Sequence, residues 1–467
     1  MKNFLNKISH HQTQTINSAA FILAATSFVS ALLGLFRDRL LAGSFGASSE
    51  LDIYYTAFRI PDFISMVFII GAISAAIIPI FSEHLVRSKE EAFQFLSNLL
   101  NVFFLLLILI CALLIIFTPQ ILSAIAPGFS EQKKEMTVLL TRIMFLSPII
   151  LGLSNIISAI LRVFQRFLIS SLAPVMYNLG IILGIIFFVP YWGLAGLAWG
   201  VVLGAFLHLI IQIPALFSIG FKYQKILDFR HKGVKRVAFL TLPRSLGLAA
   251  DQLNLIVVTA IASTLASGSI AVFNLASSLS RPIQTFIGNS FSTAAFPQLS
   301  LANSQKDRNK FLKIFYDAFY KIIIFIVPVS LVVFFFREFF ISLIFKVGKF
   351  ALADVNLTAA CLGMFALGLF AQSLNLLVAK AFHALQDTKT PAFSSILDMA
   401  ATIGLSFLFL WLFSFQNIFS LAFIKLLSIK DLDKINIVAL PLALSISAVF
   451  QFLFLFLIFR IKIKKVN

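Results

Sequence analysis

Residues 93–117 read FQFLSNLLNVFFLLLILICALLIIF, and the last sixteen of them, 102–117, contain no charged or amide side chain. An unbroken apolar run of this length does not alternate as a half-buried strand does, and it exceeds any strand in a soluble core. It is long enough to cross a bilayer as a helix. The rest of the chain repeats the pattern. Of 467 residues, 60% are hydrophobic and 12% charged, and the mean hydropathy is +0.99. Ordinary soluble domains carry about 25% charged residues, so this composition excludes a water-soluble monomer. The continuity of the runs also excludes a transmembrane β-barrel. The expected class is all-α, a polytopic membrane protein.

Spanning-length runs fall at 16–36, 52–81, 93–117, 136–161, 170–189, 193–218, 238–263, 269–299, 311–336, 355–382, 391–415 and 436–459. Twelve spans place both termini on one side. With the N-terminus inside, the inner segments hold 21 Lys and Arg against ten outside, which favours cytoplasmic termini. The same rule accounts for the +18 net charge without invoking nucleic acid. The first eighteen residues, MKNFLNKISHHQTQTINS, carry no cleavable signal pattern, and the first apolar run continues into a full span. The richest basic stretch, KYQKILDFRHKGVKR at 222–236, reads as a cytoplasmic linker, 219–237, between an N-terminal lobe, 1–218, and a C-terminal lobe, 238–467.

The two lobes resemble each other. SAAIIPIFS (74–82) and STAAFPQLS (292–300) are 218 residues apart, FGASS and LASGS end 220 apart at Ser49 and Ser269, and the turns at Gln165 and Gln386 are 221 apart. Two parallel six-helix repeats, related by an axis along the membrane normal, rock around a central cavity to give alternating access. Glycines 180 and 184, with 196, 200 and 204, are spaced as small-residue packing ridges. Cys111 and Cys361 each sit in an apolar run and read as core residues rather than a disulfide or metal pair. There is no GxxxxGK[ST] loop, no HExxH and no GxSxG, so neither ATP hydrolysis nor another catalytic activity is expected, and no catalytic or metal-ligating residue is assigned.

Charges within the spans carry the functional information, because each is costly unless it faces a cavity or a partner. Asp317 and Lys321 are four residues apart and can pair along one helix, and Lys380 can snorkel. Arg59 and Arg281 each lie about a third of the way into a span beside a proline, Pro61 or Pro282. An arginine fork at that depth suits a phosphate or carboxylate headgroup, with a buried ion pair as the competing reading. Asp251 and Asp398 lie inside their helices and can take Na⁺ or H⁺ from a gradient, although Arg244 shares a face with Asp251.

One stretch is recognisable. LLGLFRDRLLAGSFGASSELDIYYTAFRIPDF at 32–63, followed by GAISAAIIPIFSEHL at 71–85, resembles the opening of the MurJ/MviN family, proposed lipid II flippases of the MOP exporter superfamily. APGFS (126–130), LASGS (265–269), FPQLS (296–300) and ALQDTKTP (384–391) extend the resemblance over about 17–460. It implies two six-helix lobes around a central cationic cavity. It also implies a bacterial plasma-membrane protein of peptidoglycan synthesis that moves an undecaprenyl-pyrophosphate-linked precursor outward. The other members of the superfamily leave a second reading open, a flippase for another polyprenyl-linked glycan or a cation-coupled exporter of small molecules. The partners implied are the lipid-linked saccharide, membrane lipids and cell-wall synthesis proteins. No cofactor is implied beyond a coupling ion or the membrane potential.

Carried over by motif, the substrate-binding residues are Arg37, Asp38, Asp52 and Arg59, with Arg281 standing one turn beyond the family position, here Ser278. The family's other usual charges are replaced by Ala31, Ser65 and Ile70. The resemblance also implies two further helices after the twelfth, whereas this sequence ends eight residues after Phe459.

Overall fold

The computed structural model describes residues 16–70, 76–415, 417–427 and 432–465. Every regular element described is helical. The chain runs through α1 (Ile16–Phe45), α2 (Ser49–Ala57), α3 (Arg59–Ile64), a π-helical turn (Ser65–Ile70), α4 (Ile78–Arg87), α5 (Lys89–Ile125), α6 (Glu131–Met144) and α7 (Leu146–Val163). It continues with α8 (Phe167–Leu183), a second π-helical turn (Gly184–Phe188), α9 (Val189–Trp192), α10 (Leu194–Ile210), α11 (Ile213–Ser218) and α12 (Lys232–Ser263). Then follow α13 (Ser269–Gln284), a third π-helical turn (Thr285–Asn289), α14 (Ser290–Ser304), α15 (Arg308–Phe335) and α16 (Arg337–Phe345). The last elements are α17 (Leu352–Ala384), α18 (Lys389–Phe413), α19 (Ile418–Leu427), a 3₁₀ segment (Leu432–Val438) and α20 (Ala439–Lys465).

All twelve expected spans fall mainly on helix among the described residues, with short breaks at Phe58, Phe145 and 211–212. Nine helical segments among the described residues are long and apolar enough to cross a membrane. Of the other three spans, 52–81 and 238–263 include residues outside the described ones, and 269–299 carries more polar side chains; 52–81 and 269–299 are interrupted by π turns. Two short helices, α16 and α19, were not anticipated, because a span-length hydropathy window averages across them.

Lipid exposure is visible on α5. Leu109, Leu113 and Ile116 are more than half exposed, whereas Leu107, Cys111, Thr118 and Leu122 on the other side are buried. Both faces are apolar, as expected for a helix whose outer solvent is hydrocarbon. Cys111 and Cys361 are both buried and unlinked.

The described residues form two compact units, one drawn from 16–40 and 53–253, the other from 41–52 and 254–465. In the first unit, α8 and α10 cross on the glycine ridge. A Cβ on Gly184 would lie 2.3 Å from the Gly200 Cα, and one on Gly180 would lie 2.3 Å from the Gly204 Cα. Backbone contact this close needs glycine on both sides. The basic segment 219–237 packs within this unit. Asn98 donates to the Asp228 carbonyl at 2.9 Å and accepts its N–H at 2.7 Å, and Asn101 donates to the Ile226 carbonyl at 2.8 Å.

In the second unit, α17 is the hub, buried along most of its length and packed against α13, α15 and α20. Residues 41–52, expected in the N-terminal lobe, belong to this unit. Lys349 N–H donates to the Gly43 carbonyl at 2.8 Å, and the Asp354 carboxylate accepts from the N–H groups of Ala47 and Ala351.

The repeat expected from sequence recurs in the backbone. Gln165 and Gln386 both adopt left-handed conformations, φ 58° and 59°. The long helices α5 and α15 both start from a side-chain cap: Ser88 Oγ accepts from Glu91 N–H at 3.0 Å, and Asp307 Oδ1 accepts from Lys310 N–H at 2.8 Å.

Candidate functional site

In the first unit the candidate site is built on α1. Arg37 donates through Nε and Nη2 to Asp38 Oδ1, at 3.0 and 2.8 Å, and through Nη1 to Asn178 Oδ1 at 3.1 Å. Asn178, on α8, is itself oriented by its amide nitrogen, which donates to the Ser30 carbonyl and hydroxyl at 3.2 Å. Asp38 is 5% exposed and the Arg37 side chain 26% exposed. The three contacts use three of the five guanidinium N–H groups. A positioned cation with donor capacity in reserve can receive a phosphate or carboxylate oxygen. Tyr54 on α2 is 2% exposed, and its ring meets that of Phe58, one turn on, edge to face at 5.1 Å.

Arg59 is the first residue of α3 and is buried, as is Pro61. Proline in a first turn sacrifices no helical hydrogen bond. Asp251 is exposed on α12. The Arg244 side chain, weighed above as its partner, lies outside the described side chains.

In the second unit Asp52 is 3% exposed. Its Oδ2 accepts from Gly268 N–H at 2.6 Å and its Oδ1 from Ala271 N–H at 2.9 Å. These are N-terminal N–H groups of α13, so Asp52 caps a helix that starts 217 residues further on. Arg281 is exposed on α13, immediately before Pro282 and four residues before the π turn. Asp398 is half-buried on α18. Lys380 donates to the Thr293 hydroxyl, which donates to Asn289 Oδ1 at 3.2 Å. Lys321 and Asp317 pair at 2.8 Å, as their spacing predicts.

Thus Arg37 and Asp38 are in direct contact, Asp52 is committed to backbone groups, and Arg59, Arg281, Asp251 and Asp398 stand on separate helices. Sequence reasoning missed Asn178. Its signal was an amide inside the otherwise apolar run 170–189. It also missed the Lys380–Thr293–Asn289 chain, which joins helices far apart in sequence.

Comparison with known proteins shows the family. The family profile described as "Lipid II flippase MurJ" matches residues 41–466. A "Probable lipid II flippase MurJ" of Buchnera aphidicola subsp. Schizaphis graminum is 32% identical over 381 residues, covering 80% of this chain and 74% of the relative. One of Thermotoga maritima is 31% identical, covering 81% and 76%. The "Lipid II flippase MurJ" of Burkholderia cenocepacia is 28% identical, covering 80% and 74%. Among solved structures, "Lipid II flippase MurJ, inward closed conformation" superposes with a TM-score of 0.77 at 26% identity, over 96% of this chain and 90% of that one. An inward-facing multidrug resistance MATE transporter of the MOP superfamily gives 0.74 at 15% identity, over 96% and 98%, a likeness of fold alone.

Proposed function

The chain belongs to the MurJ lipid II flippase family, and from that premise we propose that it carries lipid II from the cytoplasmic to the outer leaflet by alternating access, for cell-wall synthesis. The polyprenyl tail stays in the bilayer while the pyrophosphate saccharide is moved through the protein. Both termini face the cytoplasm, in keeping with the two-to-one bias of Lys and Arg in the connections.

The observation that carries the headgroup assignment is the Arg37 guanidinium, fixed by Asp38 and Asn178 with two N–H donors left over. Arg37, Arg59 and Arg281 engage the pyrophosphate. Asp38 orients Arg37, and Asp52 holds the start of α13. A net-positive carrier state returns inward with the help of the membrane potential, at about 2.3 kcal/mol per charge moved across 100 mV. Asp251, exposed on an apolar helix, and Asp398 are the acidic groups through which Na⁺ or H⁺ would couple.

The test is complementation in a bacterium depleted of its own lipid II flippase, with outer-leaflet lipid II scored directly. Restored translocation, lost again in well-inserted Arg37→Ala and Arg59→Ala proteins, is the expected result. Parental flux in both variants would overturn the headgroup role. Failure of the inserted parent would favour another polyprenyl-linked glycan, or an exported small molecule dependent on Asp251 or Asp398.

A further inference from the structure

The two halves of the chain make the same turn and finish it with opposite charges. α8 begins after the left-handed Gln165, and α18 after the left-handed Gln386. At the first turn, Gln165 N–H donates to the Arg162 carbonyl at 3.0 Å and Arg166 N–H to the Leu161 carbonyl at 2.8 Å. At the second, Gln386 N–H donates to the His383 carbonyl at 3.0 Å and Asp387 N–H to the Phe382 carbonyl at 2.9 Å. Arg166 and Asp387 therefore hold equivalent places, 221 residues apart.

At Asp387 the polar accounting closes. Oδ1 accepts from the N–H groups of Lys389 and Thr390, each at 3.0 Å, and Oδ2 accepts from the Thr390 hydroxyl and from Lys462 Nζ, each at 2.6 Å. A carboxylate thus satisfies the first turn of α18 and a cation together. At Arg166 the same accounting leaves only donors. The start of α8 has no side-chain cap. Arg166 is 7% exposed, and its Nε and Nη1 have no acceptor among the described residues. Buried N–H groups require partners, and a charged donor requires one most. An uncapped helix start of 17 residues adds its own N–H groups and dipole to the same deficit. Arg162, exposed on the last turn of α7, adds a second positive charge nearby in the chain.

We propose that Arg166 and the first turn of α8 bind a phosphate-type oxyanion, which takes in the first half of the molecule the place that the Asp387 carboxylate fills in the second. The chemistry fits an inorganic phosphate and the phosphate of an anionic phospholipid headgroup equally. The site is distinct from the residues assigned to the transported headgroup, and it does not depend on that assignment.

The experiment measures the melting temperature of the purified full chain in dodecyl maltoside, which carries no phosphate, at constant ionic strength. In one series inorganic phosphate replaces chloride; in the other, phosphatidylglycerol is added to the micelles. A rise with inorganic phosphate identifies a soluble anion, and a rise only with phosphatidylglycerol identifies the lipid headgroup. Arg166→Gln should weaken the response at least about tenfold, since the charged donor is lost. Arg166→Asp supplies the carboxylate in place. It should melt above the native chain when no oxyanion is present, and it should ignore both additions. A native chain that responds to neither addition, or an Arg166→Asp chain that responds as the native one does, overturns the proposal.

Discussion

Replacing Asp52 separates two roles that the motif alone confuses. The residue stands in the string that resembles the family's substrate site, yet its carboxylate is 3% exposed and bound to Gly268 N–H at 2.6 Å and Ala271 N–H at 2.9 Å. Gly268 cannot move away to find another partner: its φ is 89°, and a Cβ there would lie 2.0 Å from the Ala47 carbonyl oxygen. Asp52→Ala removes a helix cap, a loss of about 1 kcal/mol. It also leaves two buried N–H groups without a charged acceptor, bringing the total to roughly 2–4 kcal/mol. Asp52→Asn keeps one acceptor oxygen and should cost roughly half as much. The assay is unfolding of the purified chain in detergent, run beside lipid II translocation in cells. If capping is the role, stability and inserted amount fall in the order Asp, Asn, Ala, and translocation falls in proportion. An Asp52→Ala protein of parental stability that has lost translocation would refute the capping argument and make Asp52 a substrate contact.

Three further outcomes are expected. Gly184→Ala places a methyl 2.3 Å from the Gly200 Cα; α8 and α10 must part, at about 1–3 kcal/mol, and the melting temperature in detergent should drop. Burial raises the Asp387 carboxyl, but its bonds to Lys462 and Thr390 outweigh that and hold it at about 2. Because its folded value lies below the ordinary one near 3.9, its stabilisation is complete above about pH 4 and is lost as pH falls towards 2. Asp387→Asn should remove roughly 1–2 kcal/mol of pH dependence from acid unfolding in that window. Arg37→Lys keeps the charge but loses the planar fork shared with Asp38 and Asn178; translocation should fall about tenfold or more while the melting temperature stays close to parental.

What was legible in the sequence is what depends on neighbours along the chain. Run length placed all twelve helical segments. Spacing found the glycine ridge and the Asp317–Lys321 pair, and short matches found the repeat that the left-handed Gln165 and Gln386 display in the backbone. What was not legible depends on approach through space. The Asp52 cap joins residues 216 and 219 positions apart, and no periodicity encodes it. The same contact explains why 41–52 packs with the second unit although hydropathy groups it with the first. Asn178 acquires meaning only when α8 lies beside α1, where it divides its amide between Arg37 and Ser30. Arginine depth in a span, by contrast, did not predict environment: Arg59 is buried and Arg281 exposed.

The π turns tie these observations together. Two of the three described start at Ser65 and Thr285, 220 residues apart, and each of these follows an arginine close to a proline in the same helical segment, whereas the third, Gly184–Phe188, lies on the glycine ridge. A π turn widens the helix by one residue and releases a carbonyl from the regular ladder. In the first unit such a carbonyl, that of Val67, accepts from the Ser245 hydroxyl at 2.6 Å. In the second, the turn packs so closely on α17 that a Cβ on Gly288 would meet the Ser373 Cα at 2.8 Å. The segments bearing Arg59 and Arg281 are therefore broken in the same register of each repeat. An uninterrupted apolar stretch such as 102–114 of α5 has its backbone bonded within the helix and only lipid or core to face. A segment that carries an arginine, a proline and a π turn gives up local stability, and elements that move are drawn from that end of the scale. The coincidence of charge, broken backbone and repeat register in both units supports, beside the Arg37 contacts, the proposed headgroup role of Arg59 and Arg281.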